Sequence, residues 1–437
     1  MPETIKNKGW GVTFSGTGIN LALGILYTWS IFKGAIKESI EAGGAGAFNW
    51  NLAALNDPYA ICCIVFAFAT VLAGKCQDRF GPRLTAFIGG ILVGFGFILI
   101  SQTTSYVVWI LGFGMLAGTG IGFGYAAATP PALKWFPPYK TGLIAGLVVS
   151  GFGLASVYIA PVSQYLLSMW GIQKAMLFFG VAFLIVVCGL SLKLVNPPAG
   201  YVPADSPTTG TARTSTASQA DAKPSEMLTT RTFYTIWFIY FIGAGVGLMV
   251  IGSVAGMAKK SLGELAFLVV AILAIGNAAG RIIAGIISDK IGRRATLMIM
   301  LGFQTILMLV AIPLIGAEHA SPVFLVLLAT FIGFNYGTNL SLFPSVTKDN
   351  WGLKNFGTNY GLVFTAWGVG GFVMGRLSQM LIARSGAYTS SFLTAAALLI
   401  VGIILTLTLR AKKVESVVTD KEKSLIMEPA NVDTERA

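Results

Sequence analysis

Charge is what this sequence has least of: Asp, Glu, Lys and Arg make up 11% of its 437 residues. A soluble domain carries about a quarter of such residues, so water is not the solvent for most of this surface. Histidine occurs once, at His319, and cysteine four times, at Cys62, Cys63, Cys76 and Cys188. None stands at metal-ligand spacing. The cysteines fall within or at the end of apolar segments and read as free, buried thiols. There is no H-E-x-x-H, no nucleophile elbow and no acid-rich cluster, so nothing supports an enzyme, a metal or a cofactor. Acids are outnumbered 18 to 30 by Lys and Arg, for a formal charge of +12. That excess sits mostly in short loops and at the two ends, which points to membrane topology and away from nucleic acid. A cleavable leader is not expected: residues 1–9 are polar, and the apolar stretch 11–32 exceeds a typical h-region.

What is present is apolar length. Hydrophobic residues account for 55% of the chain, and mean hydropathy is +0.75. About 20 mostly apolar residues span a bilayer as a helix. Twelve such segments can be read, at 10–34, 57–76, 83–101, 106–129, 140–166, 173–193, 232–257, 263–287, 294–316, 321–346, 356–383 and 389–410. Residues 196–230 are rich in Pro, Ser, Thr, Ala and Gly and cannot build a packed core. The expected organisation is a six-helix bundle over 1–195, a flexible cytoplasmic linker over 196–230, a second six-helix bundle over 231–410 and a disordered cytoplasmic tail over 411–437. Lys75, Arg79, Arg83, Lys134, Lys140, Lys290, Arg293, Arg294, Lys348 and Lys354 then share one side, which the positive-inside rule makes cytoplasmic, together with both termini. Lys33, Lys37, Lys259 and Lys260 run against the bias.

One pattern occurs twice, G-x-x-x-D-[RK]-x-G-x-[RK]. The first copy holds Gly74, Asp78, Arg79, Gly81 and Arg83; the second holds Gly285, Asp289, Lys290, Gly292 and Arg294, with Arg293 between the last two. Each copy occupies the loop between the second and third helix of its half. Glycine permits a tight turn, and Asp can pair with a basic residue or cap a helix N-terminus. The pair is expected to act as a latch over the cytoplasmic helix ends: Asp78, Arg79, Gly81 and Arg83 in one half, Asp289, Lys290, Gly292 and Arg293 in the other.

With this doubled motif the chain resembles the major facilitator superfamily, which implies an all-α membrane protein whose two six-helix bundles rock around a midplane site. Three stretches resemble its oxalate/formate antiporter and monocarboxylate transporter branch: Leu26 to Phe32; Gly118 to Tyr125 with Lys134 to Leu143 after it; and Phe356 to Gly368. Oxalate carriers resemble this chain around Phe364 to Gly368 but place a lysine where Trp367 stands. Animal monocarboxylate carriers resemble it at Trp29 and Asn277, with a lysine and an aspartate there.

Arg281 is the leading candidate for cargo binding. It lies in the eighth apolar segment, about two turns (roughly 12 Å) from the loop motif. An intramembrane Arg is costly and usually marks a pathway, and guanidinium grips carboxylate through two parallel hydrogen bonds. Asn277, four residues earlier, shares its face and can orient it, hydrogen-bond the cargo or bond a neighbouring helix. Arg376 is read as snorkelling to the outer interface. A single midplane cation balances a monoanion. Tyr27, Tyr125, Tyr336, Tyr360, Phe364 and Trp367, with Leu26 and Leu147, are candidate walls for a short carboxylate with an apolar tail. Asp57 and Glu264 read as helix caps, His319 as a solvated loop residue, and Gly118 to Gly124 as close helix packing. The expected function is alternating-access transport of a lactate- or pyruvate-like monocarboxylate by a monomer in the cytoplasmic membrane, among its lipids. The resemblance implies a cotransported proton. Carboxylate exchange and a non-transporting sensor are the alternatives.

Overall fold

The computed structural model describes residues 6–44, 46–203, 221–262, 266–316 and 322–409, without side chains for 250–271 and 315–322. His319, Glu264, the expected tail and the centre of the expected linker lie outside the described residues, as do the side chains of Lys259 and Lys260. Every regular element among the described residues is helical. Among the described residues ten helices are long and apolar enough to cross a membrane. One of them, Pro138–Ser191, is two spans, because Gly171 breaks it at φ 74° and ψ 176°. The helix Phe356–Ser385 completes the twelve.

In chain order these are α1 (Gly9–Ala42), α2 (Asp57–Phe80), α3 (Pro82–Ile100), α4 (Tyr106–Lys134), α5 (141–170), α6 (172–191), α7 (Arg231–Leu262), α8 (Ala266–Ile291), α9 (Arg293–Gly316), α10 (Pro322–Trp351), α11 (Phe356–Ser385) and α12 (Thr389–Thr408). Pro58 and Pro82 stand in first turns, where a helix tolerates proline, whereas Pro130, Pro131, Pro161, Pro313 and Pro344 lie inside helices. The motif glycines Gly81 (φ 89°) and Gly292 (φ 91°) end α2 and α8 in a backbone region closed to most side chains. Two expectations need correction. The first helix extends past residue 34 to Ala42, because the polar turns leaving the bilayer remain helical and Lys37 pairs with Glu41 at 3.5 Å. Asp57 is not the cap of α2: Asn56 precedes the helix, and the Asp57 carboxylate accepts a hydrogen bond from the Tyr106 hydroxyl at 2.6 Å.

The outer faces carry large exposed apolar side chains such as Phe68, Leu72, Phe95 and Ile185, as a lipid solvent requires. Inside, helices approach on glycine. A Cβ at Gly118 would lie 2.9 Å from the Cys62 carbonyl oxygen, and one at Gly120 2.6 Å from that of Gly89. The two halves meet mainly through α5 against α8 and α2 against α11. Here too small residues decide the spacing: a Cβ at Gly142 would fall 2.2 Å from the Gly285 carbonyl oxygen, and one at Gly74 2.1 Å from that of Gly357. All four glycines stand at the end of the bundle that carries the doubled motif.

Candidate functional site

Arg281 is fully buried on α8. Its Nε donates to Asn277 Oδ1 at 3.0 Å, and its Nη1 donates to the backbone carbonyl of Val149 on α5, in the opposite half. Nη2 is buried and has no hydrogen-bond partner. The approach to α5 is possible because that helix is bare here. A Cβ at Gly146 would meet the Arg281 carbonyl oxygen at 2.4 Å, and one at Gly153 would stand 3.3 Å from Arg281 Nε. Asn277 thus orients the guanidinium. No protein carboxylate is paired with Arg281 among the described ion pairs, which are Lys37–Glu41, Arg293–Asp289 and Arg293–Asp349.

An aromatic cage lies beside this charge. Tyr27 on α1 and Tyr336 on α10 share a hydrogen bond at 2.9 Å between their hydroxyls. Trp367 Nε1 on α11 donates to the Tyr336 hydroxyl at 2.8 Å. Tyr125 on α4 and Tyr360 on α11 approach to 3.5 Å between hydroxyls. Phe364 stacks on Trp367 at 5.1 Å and lies 5.1 Å from Tyr125. Tyr27, Tyr125 and Tyr336 are close enough to Arg281 to feel its charge. The structure therefore brings Arg281, Asn277, Tyr27, Tyr125, Tyr336, Tyr360, Phe364 and Trp367 together. Leu26 is buried in the 3-10 turn that presents Tyr27. Leu147 is half-buried and is tied to α1 through its carbonyl, which accepts from Thr17 Oγ1 at 3.0 Å. Arg376 is exposed over Phe372, away from the cage.

Among the cage residues that escaped the sequence reading are Phe66 on α2 and Phe152 on α5. Phe66 lies 5.2 Å from Trp367 and 5.5 Å from Tyr125; Phe152 lies 5.3 Å from Tyr27. The repeat held the signal. Matching Gly74 to Gly285 sets Phe66 against Asn277, eight residues before each glycine. Matching Gly142 to Gly357 sets Phe152 against Trp367, ten residues after each.

At the motif end each Asp serves as a helix cap supplied by the other half. Asp289 of α8 accepts from the Gly142 and Leu143 amides at 2.8 and 2.9 Å. Asp78 of α2 accepts from the Gly357 and Thr358 amides at 3.0 and 2.8 Å and from Thr358 Oγ1 at 2.8 Å. These amides open α5 and α11, whose own N-cap residues, Lys140 and Asn355, make no side-chain cap bond, so the orphan donors of a helix start take the distant carboxylate. Arg293 joins Asp289 at 2.6 Å and Asp349 at 2.9 Å. Arg79, Arg83 and Lys290, expected in the latch, are exposed: backbone amides already hydrogen-bond the carboxylates, and in the first copy Pro82 stands where the second has Arg293.

A further carboxylate, unforeseen, lies at the end of the expected linker. Asp221 accepts from the Leu353 and Lys354 amides, both at 3.0 Å, in the turn between α10 and α11. The Ala222 carbonyl accepts from Asn355 and Asn359 side chains at 3.1 and 3.0 Å, and the following turn, Pro224–Leu228, buries Met227.

The helical architecture has counterparts among known proteins. The Major Facilitator Superfamily matches residues 10–374 and 236–432. The chain belongs to the major facilitator superfamily. It is a multi-pass membrane transporter. Among its relatives, the MFS-type transporter YhjX of Escherichia coli (strain K12) is 30% identical over 376 residues, covering 84% of this chain and 87% of the relative. The oxalate:formate antiporter of Oxalobacter formigenes is 27% identical, over 85% of this chain and 84% of its own. Monocarboxylate transporter 11 of Homo sapiens is 27% identical, over 90% and 81%. In fold it matches the proton:xylose symporter XylE with a TM-score of 0.70, 14% identity, and coverage of 94% of this chain and 98% of that one. As a facilitator-superfamily member this chain is a carrier and not an enzyme, related to monocarboxylate transporters and to the oxalate:formate antiporter.

Proposed function

We propose that this facilitator-superfamily carrier moves a small monocarboxylate of lactate or pyruvate type across the cytoplasmic membrane, both termini on the cytoplasmic side, with the carboxylate held by Arg281. The observation that carries the reading is the state of the guanidinium: fully buried, paired with no acid among the described ion pairs, and with Nη2 free of any partner. A buried charge without a counter-charge is costly. One carboxylate removes the cost, taking Nη2 and exchanging with the Val149 carbonyl at Nη1 to complete the bidentate grip. That exchange also removes a bond between α5 and α8, so binding loosens the seam between halves. The cage beside Arg281, from Tyr27 to Trp367, suits an apolar tail and offers hydroxyl donors at its edge.

The cycle then runs by alternating access. The Asp78 and Asp289 caps latch the motif end while the site is open to the other side, and they release when the halves rock. With the family's lysine and aspartate positions held by Trp29 and Asn277, a cotransported proton needs no dedicated acid on these two residues, since it can accompany the carboxylic acid itself. Exchange of one carboxylate for another is the second reading, supported by the likeness to the oxalate:formate antiporter; Trp367 in place of a lysine disfavours a dianion.

The test is uptake of labelled lactate, pyruvate, formate and oxalate into proteoliposomes, with and without an imposed pH gradient, beside the Arg281→Lys protein. Monocarboxylate uptake that the lysine variant loses is expected, because lysine keeps the charge but not the planar fork. Normal transport of every acid by that variant overturns the site.

A further inference from the structure

Gln77 is the most conspicuous polar residue that the site does not use. It stands beside Asp78 on α2, is 1% exposed, and neither atom of its amide has a hydrogen-bond partner. The Thr129 hydroxyl on α4, 2% exposed, is in the same condition. An unpaired buried polar group is costly, so two of them on helices that pack against each other require a reason. Their helical register supplies one. Gln77 lies eleven residues, three turns, beyond Phe66 and so shares its face, which looks onto the aromatic cage; Thr129 lies one turn beyond Tyr125, another cage residue. Each therefore continues a cage-lining helix face toward the motif end. Lys134, five residues further along α4, lies within electrostatic reach of Asp78.

We infer that Gln77 and Thr129 line the inner half of the translocation route, which is shut in this structure and hydrated when the motif end opens. In that open state their amide and hydroxyl groups donate and accept with water and offer hydrogen bonds to the departing carboxylate. Their unpaired burial here raises the energy of the shut state and keeps it from trapping the carrier. The inference rests on the alternating-access reading above.

Two measurements test it. The first compares melting temperature in detergent with the initial rate of labelled lactate counterflow for Gln77→Leu and Thr129→Val. An apolar isostere relieves the buried polar group but leaves the open route unwetted, so the expected result is a raised melting temperature with a several-fold slower rate. A lowered melting temperature, or an unchanged rate, overturns the inference. The second measurement needs no cargo and covers variants that fold poorly. In Thr129→Cys, alkylation at position 129 is followed by peptide mass spectrometry with an impermeant thiol reagent added to one side at a time. Labelling from the motif side alone is expected; no labelling, or labelling from the opposite side, overturns it. If the wild-type protein carries none of the acids but position 129 is labelled from the motif side, the carboxylate reading falls and the route stands.

Discussion

The guanidinium of Arg281 offers five donors, of which Nε is held by Asn277 and one on Nη1 by the Val149 carbonyl. Asn277 controls where the free edge points, so its loss should weaken cargo binding without abolishing transport. Asn277→Ala removes a bond to a charged group, worth about 1.5–3 kcal/mol, and is expected to raise KM for lactate by about tenfold or more at nearly unchanged maximal rate, as measured by uptake at graded concentrations. Trp367 tests charge count. Its indole donates to the Tyr336 hydroxyl and stacks on Phe364, and it is uncharged. Trp367→Lys places a second cation beside the first, and oxalate counterflow is expected to rise relative to lactate; an unchanged ratio would detach this position from specificity. Arg281 was legible in the sequence because a charge inside an apolar helix is rare. The Val149 carbonyl was not, because a backbone acceptor has no signature in residue type.

At the scale of helices, the two seams look alike but differ in strength. Asp289 caps α5 and also pairs with Arg293, itself bound to Asp349. Asp78 caps α11 with only the Thr358 hydroxyl added. Replacing each by Asn keeps a cap acceptor and removes the charge. Asp289→Asn is therefore expected to open the motif end more than Asp78→Asn, read as faster hydrogen exchange of the α5 start than of the α11 start. Equal effects would mean that the Arg293 pair contributes nothing to the seam. Gly285→Ala probes the other component. Its Cβ would fall 2.2 Å from the Gly142 carbonyl oxygen, a distance that neither backbone can accept, so α5 and α8 must separate. A lower melting temperature and greater motif-end labelling are expected. The motif glycines were readable as turn formers. That each aspartate caps a helix of the opposite half was not, since the partner amides lie more than a hundred residues away and any residue type presents an amide.

Across the whole molecule, the repeat is close in frame and broken in chemistry. In the frame that matches the motifs, Arg281 corresponds to Thr70, four residues before each motif glycine, and only one half carries the charge. The C-terminal end of the linker is likewise part of the closed assembly, since Asp221 holds the α10–α11 turn. Asp221→Ala is expected to expose residues 221–230 to proteolysis and hydrogen exchange while leaving the helices protected; unaltered protection would show that Asp221 does not hold that segment. By itself the sequence determined that this is a twelve-helix membrane protein of duplicated halves with a cation inside one of them. Hydropathy, glycine turns and the expense of intramembrane charge are local properties, and they survive in a linear string. Only the tertiary structure decided which groups face that cation, that Phe66 and Phe152 close the cage, and that the carboxylates close the ends of distant helices. Those are meetings between segments, fixed by how closely bare glycine backbones let the two bundles approach.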